Sequence, residues 1–70
     1  MNYRAVSSSW VAAVAYDAQS QTMGVKTRDG AEYHYQGVPR FVYQQFTGSG
    51  SIGKAMWRTV LGRYSYRRVA

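Results

Sequence analysis

Gly48, Gly53 and Lys54 are the residues whose types and spacing come nearest to a defined chemistry. In "TGSGSIGKAM", residues 47–56, they reproduce most of the G-x-x-x-x-G-K-[ST] loop that cradles nucleotide phosphates. The next position is Ala55, where that loop needs a hydroxyl for magnesium, and no acidic residue follows in the chain to share the metal. Such a loop also follows a strand, whereas the apolar spacing on both sides here is helical. An NTPase is excluded on these grounds. Attraction for phosphate is not, because Ser51 can cap a helix, Gly53 and Lys54 fall in its first turn, and free N–H groups there favour an anion. A flexible Gly-Ser linker with a capping serine is the alternative reading of the same residues.

Other catalytic chemistry finds little material. There is no cysteine, so thiolate nucleophiles, thiolate metal sites and disulfides are absent. His34 is the single histidine, and between Tyr33 and Tyr35 it reads as a solvent-facing strand residue. Asp17, Asp29 and Glu32 lie near turns or strand ends, and no cluster has metal-ligand spacing. Ser7, Ser8 and Ser9 form a polar entry to a strand. The expectation is a protein that is not an enzyme, with no cofactor and no metal.

Arginine and tyrosine say more. The net charge of +6 is carried by one half of the chain. Up to Glu32, Arg4, Lys26 and Arg28 balance the three acids. From Tyr33 onward Arg40, Lys54, Arg58, Arg63, Arg67 and Arg68 meet no acid at all. One-sided charge of this kind points to a polyanion, with nucleic acid ahead of a membrane surface. Tyr64 and Tyr66 interleave with Arg63, Arg67 and Arg68, a mixture that suits unpaired bases and phosphates; a frayed basic terminus is the bland alternative. Tyr33 and Tyr35, two apart on one strand face, either form a base-stacking platform or pack beneath the helices.

The elements that must position these residues can be read from periodicity. Seventy residues make one domain, residues 1–70, able to bury roughly 60% of its unfolded surface. "SSSWVAAVAYD" opens polar and becomes a strand, with Trp10, Ala12, Val14 and Tyr16 on one face and Val11, Ala13 and Ala15 on the other. Both faces are apolar, so this strand should be central or covered twice. "TMGVKTR" and "AEYHY" alternate and are joined by Asp29-Gly30, a strong hairpin signal for a type I′ turn. After Gly37 the period lengthens: Pro39 suits a first helical turn, and Val38, Phe41, Val42, Gln45 and Phe46 form a stripe. A second helix runs from Ser51, with Ile52, Met56, Val60 and Tyr64 repeating every four residues beside Trp57 and Leu61, and Gly62 ending it. The predicted fold is α+β: a three-stranded antiparallel meander, then two short helices on one face (β-β-β-α-α), then a basic tail or short final strand. No stretch approaches the ~20 apolar residues of a membrane span. The apolar run before the Ala13–Ala15 triplet is too short for a signal peptide, so a cytoplasmic protein is expected.

"SSSWVAAVAYD", "YHY" followed by "GVP", "SIGK" and the ending "GRYSYRRV" resemble, in this order and spacing, the KTSC domain. The resemblance runs from about Val6 to Val69. Its Tyr-x-Tyr falls on Tyr33 and Tyr35, its Gly-Val-Pro on Gly37, Val38 and Pro39, and its Ser-x-Gly-Lys on Ser51, Gly53 and Lys54. The family is named for its place at the C-terminus of some lysyl-tRNA synthetases and also occurs as a free-standing small bacterial or phage protein. The resemblance thus implies an RNA partner, tRNA or single-stranded. The chain departs from the family pattern in two places: Ala55 and Met56 stand where an aromatic pair often follows the Gly-Lys, and Ser65 where a proline often separates the last two tyrosines.

The functional expectation is a small RNA-binding module. Arg58, Arg63, Arg67 and Arg68 would neutralise phosphates, Lys54 with Ser51 and Gly53 at the helix start would fix one, and Tyr66 would stack. The rival is a protein-interaction adaptor or inhibitor that uses an unpaired sheet edge, for a partner or a second copy. A surface for acidic lipids is weaker, since no amphipathic helix of suitable size supports it.

Overall fold

Tight turns separate the apolar runs, and each reverses the chain so that neighbours in sequence become neighbours in the sheet. Between β2 (Val11–Asp17) and β3 (Thr22–Thr27), the Asp17 carboxylate accepts the Gln19 N–H at 3.0 Å and Gln21 takes a positive φ of 55°. Between β3 and β4 (Glu32–Tyr35), Gly30 has φ 96° while Asp29 stays out of the left-handed region. The Gly30 N–H bonds the Thr27 carbonyl at 3.2 Å and the Thr27 N–H bonds that of Ala31 at 2.9 Å. The loop is therefore a three-residue turn closed by a left-handed glycine, not the two-residue type I′ turn expected from Asp-Gly.

In this computed structural model, which describes residues 1–48, 50–60 and 62–70 and only the backbone of Trp57 and Thr59, the sheet has five strands rather than three. A two-residue β1 (Arg4–Ala5) precedes the expected meander and β5 (Tyr66–Arg68) follows it, in the antiparallel order β1-β2-β3-β4-β5. β1 escaped notice because two residues carry no period. The basic ending is the short strand of the two alternatives: Gln36 N–H bonds Ser65 at 2.9 Å and Val69 N–H bonds Glu32 at 2.8 Å, which zips it onto β4.

Both faces of β2 are used, as its composition demanded, but a bulge changes which residues face which way. Val11 pairs with Thr27 and Ala13 with Lys26, so Ala12 is the extra residue. Val11 thereby joins Val14 in the core, both 0% exposed, in the place the simple alternation gave to Ala12. The opposite face is covered around Gly24 by the N-terminal residues, where a side chain on Gly24 would collide with the Tyr3 ring.

Two helices cover the other face. Pro39 is the N-cap of α1 (Arg40–Thr47), one place earlier than expected, and its carbonyl accepts the Val42 N–H at 3.1 Å. Val38, Val42 and Phe46 are buried as the stripe required, but Phe41 is 63% exposed and Gln45 is exposed. Tyr43 takes the inward place instead, stacked on Tyr16 with centroids 4.9 Å apart, and the Tyr16 hydroxyl donates to the Val38 carbonyl at 2.5 Å. α2 (Ile52–Ala55) continues directly into a π-helical turn, Met56–Val60. Ile52, Ala55, Met56 and Val60 are buried and Tyr64 is partly so, which matches the four-residue repeat. The Trp57 side chain and Leu61, also assigned to that stripe, lie outside the described residues, as does Ser49 of the connecting loop. Gly62, φ 79°, turns the chain toward β5.

Candidate nucleic-acid interface

Pairing with β4 places Tyr66 opposite Tyr35, Arg67 opposite His34 and Arg68 opposite Tyr33. Side chains alternate along a strand, so Tyr66 and Arg68 share the face that carries the helices while Arg67 shares the other with His34. The three predicted contacts thus straddle an edge strand rather than forming one flat patch. Tyr66 is 59% exposed. Its ring meets Tyr33 edge-on at 5.8 Å and tilts over Tyr35 at 5.3 Å.

The Tyr33–Tyr35 pair does not offer an open stacking platform. Tyr35 is only 4% exposed and belongs to the core, and burial first, then neighbouring tyrosines, raises its phenol pKa. Tyr33 is partly buried and lines a groove.

That groove, about 660 Å³, lies between the sheet and the start of the π-helical turn. Val25, Tyr33, Tyr35 and Tyr66 come from the sheet and Met56 from the helix, while Ser9, Trp10, Thr27, Arg28 and Asp29 complete its border. Arg28 fastens the border: its N–H bonds the Trp10 carbonyl at 2.9 Å and its Nε the Ser8 carbonyl at 2.6 Å. The Ser8 hydroxyl in turn accepts the N–H groups of Trp10 and Val11 at 3.4 and 3.3 Å. Asp29 accepts a hydrogen bond from the Thr27 hydroxyl, which, with backbone bonds, holds its carboxyl below the ordinary value.

The phosphate-like loop packs against the segment that precedes β2. Ser51 is the N-cap, with φ −142°, and its carbonyl accepts the Ala55 N–H at 3.0 Å, but its side chain makes no cap bond. α2 proper is four residues long, too short for a strong dipole. The space at Gly53 belongs to Trp10: a Cβ there would stand 2.7 Å from the indole Nε1 and 3.4 Å from the Ser8 Oγ. The absence of a side chain at Gly53 is what admits the indole. Lys54, Arg58 and Arg63 are exposed along the same stretch of chain, Lys54 and Arg58 four residues apart.

Among the described residues the one ion pair within 4.0 Å joins His34 to Glu32, at 3.2 Å. None of Lys54, Arg58, Arg63, Arg67 or Arg68 therefore has an Asp or Glu carboxylate within that reach. Arg68 instead donates from Nε to the Ala70 carbonyl at 2.8 Å.

Sequence reasoning missed Trp10, Arg28 and Met56 as border residues. Arg28 was hidden in the charge-balanced half. Its position next to Asp29-Gly30 was a usable signal, since that turn had to end the sheet, but Trp10 needed the register of β2 on β3. The folded chain also explains why separated motifs form one pattern: "SSSW" packs on "SIGK" through Trp10 and Gly53, and "YHY" pairs with the final basic strand.

Comparison with known proteins agrees with this arrangement. No curated protein matches the chain. A crystal structure of a KTSC domain protein from Yersinia pestis is similar, with 26% sequence identity, a TM-score of 0.95, and 99% of this chain and 97% of that chain covered. The family model described as "KTSC domain" matches residues 7–69, a span that holds both helices and every strand but β1. The chain belongs to the KTSC domain family.

Proposed function

We propose that the chain is a non-catalytic nucleic-acid-binding module that takes single-stranded RNA. The observation that carries this reading is β5, where an exposed Tyr66 stands beside exposed Arg67 and Arg68 and, among the described residues, no Asp or Glu carboxylate lies within 4.0 Å of either. An aromatic ring with guanidinium groups close beside it is the pairing that suits unpaired bases and phosphates. Because Arg67 and Arg68 flank opposite sides of an edge strand, a flexible single strand can follow them, whereas a rigid duplex would meet one side. Lys54, Arg58 and Arg63 extend the positive surface. Recognition of a protein through the sheet edges is less favoured, since β1 and β5 are two and three residues long and β5 carries arginines, features that discourage strand addition.

Fluorescence anisotropy of a labelled single-stranded RNA, a duplex RNA and a tRNA at two salt concentrations tests the reading. Single-stranded RNA should bind best, with log K falling by about 0.7 per phosphate contact as log salt rises. Changing Arg63, Arg67 and Arg68 together to Ala should flatten that slope by about 2. Weak binding, equal for all polyanions and gone at physiological salt, would refute it.

A further inference from the structure

The groove between Trp10 and Tyr66 has not been assigned a ligand by the reading above, which needs only an exposed surface. We propose that it is a pocket for one unstacked nucleobase of the bound strand, and that it, rather than the arginines, distinguishes a base-bearing strand from a bare polyanion. This inference rests on the RNA reading.

Trp10 precedes β2 and Tyr66 opens β5, so three strand spacings, about 14 Å, separate the two ends of the groove. Between them the Tyr33 ring is the partly exposed surface, lying over the buried Val25 and Tyr35, and the buried Met56 backs the inner side. This is an apolar, aromatic surface with room, about 660 Å³, for a planar group. A base is planar on its faces and polar at its edge, and the groove has the same division. Arg28 and Asp29, the latter held by the Thr27 hydroxyl, stand together at one side, offering a guanidinium and a carboxylate to an edge that carries both donors and acceptors. The Arg28 Nε is held by Ser8 at 2.6 Å, which fixes the guanidinium at the border. Arg68, on the same sheet face as Tyr66, places a second cation where the flanking phosphate would leave. An apolar side chain would leave these charges unused; a nucleotide engages both parts.

The test compares fluorescently labelled octauridylate with an abasic ribose-phosphate octamer of equal length and charge, while the Trp10 indole N–H is followed by NMR, assigned through Trp10→Phe. The expected result is tighter binding of octauridylate by about 5- to 150-fold, the range for one stacked base. The Trp10 signal should shift with octauridylate and stay fixed with the abasic strand, and Tyr66→Ala should bring the two affinities together. If both octamers bind equally and the indole signal stays still, the pocket is refuted while the phosphate reading stands. If neither binds, both fall. Two controls can also overturn it: a larger indole shift with N-acetyltyrosinamide than with uridine 5′-monophosphate would mark a peptide pocket, and a shift produced by raising the protein concentration alone would place a second copy there.

Discussion

Glu32 gathers three partners on the sheet face away from the helices. The Tyr3 hydroxyl donates to its Oε2 at 2.6 Å, His34 Nε2 lies 3.2 Å from the same oxygen, and Lys26 stands over the Tyr3 ring at 4.4 Å. The Tyr3 hydrogen bond, then those of His34 and the Lys26 charge, hold the Glu32 carboxyl below its ordinary 4.5, while burial and this acceptor keep the Tyr3 phenol protonated well above its usual range. A carboxyl lowered by folding stabilises the fold above its unfolded value and ceases to do so as pH falls through its folded value. Thermal unfolding should therefore show Tm falling as pH drops below about 4.5, and Tyr3→Phe should reduce that fall. Asp29 acts with the same sign, so the difference between the wild type and Tyr3→Phe isolates Glu32. Gly53 makes a second prediction at this scale. Gly53→Ala should cost about 1–3 kcal/mol in urea unfolding by forcing the Trp10 indole aside, and should cost much less in a Trp10→Ala background. The shared face of Glu32 and His34 was legible from their spacing of two. The Tyr3 and Trp10 contacts were not, because each joins segments far apart in the chain, Tyr3 to Glu32 of β4 and Trp10 to Gly53 of α2.

Periodicity revealed the helices more reliably than their rotation. In α1 both Phe41 and Phe46 fitted an apolar stripe, yet Phe46 is 0% exposed and Phe41 is 63% exposed, because Tyr43 turns inward to stack on Tyr16. Phe46→Ala should lower stability by about 3–5 kcal/mol and Phe41→Ala by less than about 0.5 kcal/mol, as read from denaturant midpoints at constant m. Similar losses from both would contradict this rotation. Strands were harder to read. The β2 bulge at Ala12 reverses the face assigned to Val11, and an alternating pattern cannot signal an extra residue. The π-helical turn at Met56–Val60 was invisible for a related reason, since four-residue repeats are compatible with either helix.

At the scale of the molecule, the division of charge along the chain was plain from composition, but its division in space was not. Arg67 and Arg68 are adjacent in sequence and on opposite faces of the sheet. The meander has a kinetic consequence. From β1 to β4 every strand pairs with the one just before it across a short turn or loop, so those contacts close locally and early. β5 differs, since residues 36–65, with both helices, must be in place before it reaches β4. A three-residue edge strand closing so long a loop has a lower local opening energy than the interior strands β2 and β3. Native-state hydrogen exchange should accordingly be slowest in β2 and β3 and faster by orders of magnitude in β5; equal protection in all of them would contradict this order. The strand bearing Tyr66, Arg67 and Arg68 thus docks after the interior strands and releases before them, and can leave the sheet while they stay folded.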